Sequence, residues 1–483
     1  MIKIRNKSNP AVIFPSVRIT RRRFIKTSAF GLGALSLGIS CRKSDWEGQK
    51  PNIILIQTDD QRWDALGCAG NPIIQTPNMD LLANKGLRFA RAFATSPICA
   101  ASRASLFTGL YERTHEYTFT KPPLDRSFTD ISYPLLLRQA GYRTGFIGKF
   151  GIKVEKGVTD EMFDWVRWSS LPYFKENAEK GRHLTETHGD YAIEFLRSSK
   201  PDQPFCLSLS FWAPHADDGN PQQYFWPASC DDLYRNIRLP IPETANPAFF
   251  EALPEFLKKS MNRIRWYWRF DNPEKYQEMV KGYYRMISGV DLVTGKIMEE
   301  LTRLDMARNT VIFLTSDNGY FLGERGFAGK WLMHDPSIRI PLIVYDPRKT
   351  KKKFHPVRNE MVLNVDVAPT ILDMAGLDIP KKMQGRSLMP LVRDEKIDWR
   401  TKVFCEHLWD HPEIPQSECI RTERWKYIRY PQHLDFEELY NLEEDPIEKN
   451  NLADDQRYRT VLLDLQRSCE QKIHSLSNRK VSS

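Results

Sequence analysis

Long apolar runs, Cys-x-x-Cys spacings, internal repeats and heptads are all missing from these 483 residues. The eight cysteines are scattered, which argues against a zinc or dithiol redox motif. Without repeats, solenoids drop out, and no low-complexity tract is present. Net charge is missing too, once it is located. Residues 1–50 carry eleven of the 70 Lys and Arg but only two of the 61 Asp and Glu, so the rest of the chain holds 59 of each. The overall +9 therefore belongs to the leader, and a neutral body speaks against a nucleic-acid-binding surface. What is present, 41% hydrophobic and 12% aromatic residues, fits a globular chain of one large and one smaller domain.

The leader reads "TRRRFIKTSAFGLGALSLGISC". Arg21 and Arg22 precede Phe24, Ile25 and Lys26, and a weakly apolar Gly/Ala/Leu/Ser run follows over 29–40. That run is too short to anchor in a bilayer. The whole resembles a bacterial twin-arginine export signal, which moves proteins already folded, and implies a periplasmic or cell-surface destination. Cys41 closes the run where a lipoprotein would be acylated, although Gly38 stands where that box prefers a larger aliphatic residue. A lipid on Cys41 would be the sole attachment to a membrane. Folding in a reducing cytoplasm predicts few disulfides.

Four segments share one layout. "NIILIQTDDQRW" (52–63), "RTGFIGKFG" (143–151), "FCLSLSFWAPH" (205–215) and "TVIFLTSDNG" (310–319) are each an apolar, strand-length run with a polar tip. Helical patterns lie between them, at 78–87, 100–110, 131–140, 186–198 and 274–304. Strand, polar tip and helix in alternation predict an α/β sheet flanked by helices, with chemistry at the C-terminal strand ends. Residues 217–272, rich in Pro and aromatics, read as an irregular insertion able to carry substrate-binding loops. After "MQGRSLMPLV" the pieces become short, charged and β-prone, ending in a helical stretch at 455–474. The expected division is 1–50 leader and linker, 51–394 catalytic domain, and 395–483 a small α+β subdomain.

The tips carry the chemistry. Asp59 with Asp60, and Asp317 with Asn318, are hard oxygen donors suited to Ca²⁺ or Mg²⁺, provided the two strands are neighbours. Lys149, His215 and Lys330 stand at or near other tips and could neutralise an anion. Cys99 precedes small residues in "SPICAASRASLFTG", with Arg103 one helical turn on, where it can share a face with the thiol. Read alone, Cys99 is equally a packed thiol and either pair of acids a helix cap.

"CAASRASLFTG" resembles the sulfatase signature Cys/Ser-x-Pro/Ala-x-Arg. "PNIILIQTDDQRWDALGCAGN", "TSDNGYFLGERG" and "IRIPLIVYDP" are similar to the segments that frame sulfatase sites. The resemblance runs from about residue 51 to "ELYNLEEDPIEKNNLA". It implies a formylglycine-dependent sulfatase with the alkaline-phosphatase-like fold, a large mixed, mostly parallel sheet between helices. It also implies that Asp59, Asp60, Asp317 and Asn318 bind one divalent metal, Ca²⁺ with Mg²⁺ as the alternative. A maturase would oxidise Cys99 to formylglycine, whose hydrate touches the metal and attacks sulfur. Arg103 would hold that hydrate, Lys149 and Lys330 the sulfate oxygens, and His215 would stand by the leaving oxygen. The implied substrate is a sulfated carbohydrate.

Three positions depart from the family pattern. Gly151 stands where many relatives have a histidine, Arg325 replaces the histidine of Gly-Glu-His-Gly, and Ala101 is a tolerated variant of the proline. Fewer imidazoles leave the general acid to His215, with His334 behind it, while His183, His188, His407 and His411 are candidates to line a pocket. Two rival readings remain: a phosphonate or phosphate ester hydrolase of the same superfamily, and an inactive glycan-binding relative whose Cys99 stays a thiol.

Overall fold

The first strand, β1 (Asn52–Thr58), shows why the sheet is buried on both faces. Ile54 and Ile56 enter one hydrophobic core and Ile53 and Leu55 another, all at most 2% exposed. Such a strand must be central in its sheet, and each of these side chains contributes about 1.5–3 kcal/mol by leaving water. The computed structural model describes residues 50–174, 181–348 and 356–478. The twin-arginine leader and Cys41 lie outside the described residues.

Next along the chain come β2 (Leu87–Phe93), β3 (Arg143–Gly148), β4 (Trp165–Trp168), β5 (Phe205–Ser210) and β6 (Thr310–Ser316). A two-stranded ribbon, β7 (Phe321–Leu322) with β8 (Ala328–Gly329), separates them from β9 (Arg339–Ile340), β10 (Leu342–Tyr345) and β11 (Val357–Leu363). The main sheet has nine strands in the order β11-β2-β10-β6-β1-β5-β3-β4, with β9 paired to β2. Only β9 and β10 run against the rest. The mostly parallel α/β architecture expected from the sequence is the one found.

Helices cover both faces. On one side α1 (Pro77–Lys85) and the helices Leu184–Arg197 and Pro273–Arg303 bring Met79, Leu82, Phe195, Met286 and Val290 onto the sheet. On the other, α2 (Cys99–Thr108) and the helices Tyr133–Gln139 and Val367–Met374 bring Ala100, Ala104, Phe107, Leu137 and Ile371. The 217–272 insertion is less irregular than expected, because it holds the amphipathic helix Met261–Arg269.

The C-terminal region is an antiparallel sheet, β12 (Lys402–His407), β13 (Ser417–Thr422), β14 (Trp425–Arg429) and β15 (Glu437–Asn441), followed by the helix Arg459–Asn478. Its inner face shares a core with Phe93, Phe327, Met333 and Met361 of the main body. The seven described cysteines are free thiols, including Cys405 and Cys419, which sit opposite each other on β12 and β13. Among the described residues no helix is long and apolar enough to cross a membrane.

Candidate active site

Register builds the site. In the parallel pairs, Thr58 of β1 lies beside Ser316 of β6, Gln57 beside Ser210 of β5, and Gly148 of β3 beside the same Ser210. Four adjacent strands thus end on one edge, and the residues that follow them meet there. The Asp60 amide donates to Asp317 Oδ1 (3.1 Å), the Asn318 amide to the same oxygen (2.9 Å), and Asn318 Nδ2 to Asp60 Oδ1 (2.6 Å). Asp60 takes the left-handed conformation (φ 68°) that acidic side chains tolerate better than most. The hydroxyl of Tyr283 donates to its carbonyl at 2.7 Å.

Asp59, Asp60, Asp317 and Asn318 are all at most 1% exposed. Three of their oxygens, Asp59 Oδ1, Asp60 Oδ2 and Asn318 Oδ1, are buried without a hydrogen-bond partner. A buried acceptor left in that condition costs about 1–3 kcal/mol, more when charged. Carboxylate and amide oxygens converging from two strands are the donor set of a hard divalent cation, so the residues fit one. The Asp59, Asp60 and His215 ligand atoms lie within 4.8 Å of one another, and His215 Nε2 is 3.7 Å from Asp60 Oδ2. His215 therefore stands at the acid cluster itself.

Arg103 has no exposed surface. From the second turn of α2 its Nε donates to Asp317 Oδ2 (2.9 Å), Nη2 to Asp59 Oδ2 (3.1 Å), and Nη1 to the Lys149 carbonyl (2.6 Å) and to Ser210 Oγ. One guanidinium thus ties the ends of β1, β3, β5 and β6. Ser102 Oγ donates to the Asp317 carbonyl and fixes the helix to the same edge. Cys99 opens α2, 6% exposed, near enough to Arg103, Lys149 and Lys330 to interact electrostatically with all three.

The two lysines face the acids. Lys149 follows Gly148, whose φ of 100° and 1.9 Å clearance from an added Cβ to the Ser210 carbonyl leave room only for glycine. Its Nζ donates to Asp59 Oδ2 and lies 4.5 Å from the centre of the Trp212 ring. Lys330 Nζ donates to Asp60 Oδ1, and Asn262 Nδ2 holds the Lys330 carbonyl at 2.9 Å. Three acids thus meet three fixed cations, so a bound dication leaves a surplus of positive charge for an anionic ester.

Burial pushes the Asp59 carboxyl up, but Lys149, His215, Lys330 and Arg103 outweigh it and hold the group far below the usual range. Burial, then the Asp59 charge, pushes Asp317 up to about 6. Both lysines would be lowered by burial, yet Asp59 and Cys99 raise Lys149, and Asp60, Cys99 and Asp59 raise Lys330. Burial lowers His215 despite both aspartates.

The other candidate histidines are engaged elsewhere. His334 Nε2 meets Glu438 Oε2 at 3.1 Å, and His183 caps the helix Leu184–Arg197, its ring pushed down to about 4 by burial. His188 Nε2 lies 2.8 Å from Ser169 Oγ, His407 is wholly buried on β12, and His411 packs on Trp409. Arg325 is buried against Tyr440 in the C-terminal sheet, so it supplies nothing at the strand edge. Sequence reasoning missed Gln57, Ser210 and Asn262. Their signal was weak: a polar side chain at the end of an otherwise apolar strand, and an Asn in an arginine-rich helix.

Comparison with known proteins identifies the family. The family profile described as Sulfatase matches residues 51–377, and the profile described as N-sulphoglucosamine sulphohydrolase, C-terminal, matches 323–475. An N-acetylglucosamine-6-O-sulfatase of Bacteroides thetaiotaomicron is 30% identical, over 87% of this chain and 86% of the relative. An arylsulfatase of Clostridium perfringens is 28% identical, over 85% and 92%. A solved structure of a protein in complex with its substrate D-glucosamine-2-N,6-O-disulfate superposes with a TM-score of 0.78 at 26% identity, covering 89% of this chain and 99% of that one.

Proposed function

The chain belongs to the sulfatase family, and from that premise we propose that it removes sulfate from a sulfated carbohydrate, a 6-sulfated amino sugar being the first substrate to try. The observation that carries the reading is the edge at which the β1 and β6 ends put three unpartnered buried oxygens beside Cys99, Lys149 and Lys330. Asp59, Asp60, Asp317 and Asn318 would hold the divalent cation, Ca²⁺ or Mg²⁺ by donor hardness, and His215 stands beside the same acids. When bound, the ion would neutralise charge building on the ester oxygens. Oxidation of Cys99 to the formylglycine aldehyde by a separate maturase, followed by addition of water, would supply two hydroxyls on one carbon, one to attack sulfur and one whose deprotonation would expel the sulfate and restore the aldehyde.

The remaining roles fall to the chain's own side chains. Lys149 and Lys330, held charged by the acids they face, bind sulfate oxygens as point charges. Arg103 spends its donors on Asp59, Asp317, the Lys149 carbonyl and Ser210, so its part is to hold the frame rigid. His215 is the nearest imidazole for a proton to the sugar oxygen, a function typically worth about 10²–10⁴ in rate. The leader supports export as a further part of the proposal.

The test is a panel of defined sulfated mono- and oligosaccharides, run beside aryl phosphates and phosphonates, with protein made alongside a maturase. Sulfate release from sugars, abolished in a Cys99→Ala variant that melts like the parent, is the expected result. Full activity in Cys99→Ala, or preference for the phosphorus esters, would overturn the reading.

A further inference from the structure

Beside the strand edge stands a charge cluster that the reaction does not use. Asp218 lies three residues beyond His215, in the loop after β5. Its two carboxylate oxygens are taken separately, Oδ2 by Arg265 and Oδ1 by Arg269. Those arginines are one turn apart on the helix Met261–Arg269 and share a face. Arg269 is wholly buried, and its Nε and Nη1 find no partner; the Arg265 Nε is also buried and unpartnered. Two guanidiniums on one carboxylate leave a surplus positive charge, and uncompensated donors of this kind are costly. A mere staple between loop and helix would need only one arginine.

The cluster also borders the reacting centre. Asp218 is close enough to His215 and Lys330 to interact electrostatically with both. The Arg265 guanidinium lies 4.7 Å from the centre of the Trp331 ring, directly after Lys330, and Trp331 packs on Ile98 and Ala101 on either side of Cys99. Unlike Arg269, Arg265 keeps part of its side chain at the surface, 13% exposed, and Asp218 keeps 28%. A planar fork, tethered by one nitrogen and held over an indole, is pre-organised to receive a second anion.

We propose that Arg265 is a specificity-determining residue that binds a second anionic group of the substrate, a further sulfate or a carboxylate, with Asp218 and Arg269 as positioning residues that hold its guanidinium over Trp331. This rests on the sulfated-carbohydrate reading above. It adds that the preferred substrate carries at least two negative groups, one cleaved and one held.

The experiment compares a glucosamine monosulfate, the N,O-disulfate of the same sugar, and a monosulfated disaccharide with a uronate on the neighbouring ring. Arg265→Gln is expected to lower kcat/KM for a doubly anionic probe about 10- to 100-fold more than for the monosulfate, chiefly through KM. Arg265→Lys should recover part of that difference, and Asp218→Asn should repeat the KM-weighted pattern more weakly. Selective loss confined to the disulfate identifies the held group as sulfate; confined to the uronate, as carboxylate; either supports the assignment. Equal losses on all three probes, no loss, or unfolding of both Arg265 variants would make the cluster a staple and overturn it. A wild-type enzyme that desulfates none of the probes would instead bring down the parent reading, and this one with it.

Discussion

Gly151 is where a single residue decides most. Its φ is 72°, and a Cβ built on it would meet Arg103 Cδ at 2.6 Å. A histidine there would push on the Arg103 side chain whose guanidinium joins four strand ends. Gly151→His is therefore expected to destabilise the protein by about 1–3 kcal/mol and to lower kcat/KM at least about tenfold by misplacing the site. Thermal melts and turnover on one sulfated sugar check this; a gain in turnover would contradict it. The same geometry leaves this backbone no room for a second imidazole at that position.

At the scale of elements, the site depends on how α2 is docked. Asn364, in the turn after β11, accepts from the Thr95 amide and hydroxyl, both at 3.0 Å, and donates to Ser102 Oγ at 3.0 Å. It thereby locks the loop before Cys99 and the first turn of the helix to an edge strand. Asn364→Ala leaves the Thr95 amide and hydroxyl buried and unpaired, and should cost about 2–3 kcal/mol together with most of the turnover. Denaturant melts and kcat read the two losses. Asn364 was not legible in the sequence. Strands β1, β3, β5 and β6 were, because burial on both faces demands an uninterrupted apolar run and their tips broke it with charge. β2 and β11 were not, because "LRFARAF" and "VRNEMVL" place partly exposed charged residues within edge-region strands. The acids and lysines could be named from the tips. The convergence of Gln57, Ser210 and Asp317 on one arginine required knowing which strands are neighbours.

For the molecule as a whole, the joint between the main body and the C-terminal sheet is an acid pair. Glu112, just after α2, and Glu406, on β12, are both wholly buried. Glu406 is held by Arg113 at 2.8 Å, while Glu112 accepts from the Leu408 amide, at 3.2 Å, through Oε1, with Ser96 also beside its carboxyl. Burial, then the Glu406 charge, pushes Glu112 up to about 8; burial also pushes Glu406 up to about 6. A carboxyl raised on folding favours the native state fully below its unfolded value, about 4.3, and that stability is lost as pH rises through the folded value. Glu112→Gln should therefore match the parent near pH 4 and exceed it at pH 8 by on the order of 2 kcal/mol. Melting temperatures across that range test the sign.

The burial of all ten residues of α2 also orders events in time. If Cys99 is oxidised as proposed, the oxidising enzyme would have to reach the segment before α2 docks, since every residue of the folded helix is buried. A copy that folded first would then be sealed in its unmodified form, and if the leader does route folded protein outward, that error would travel with it.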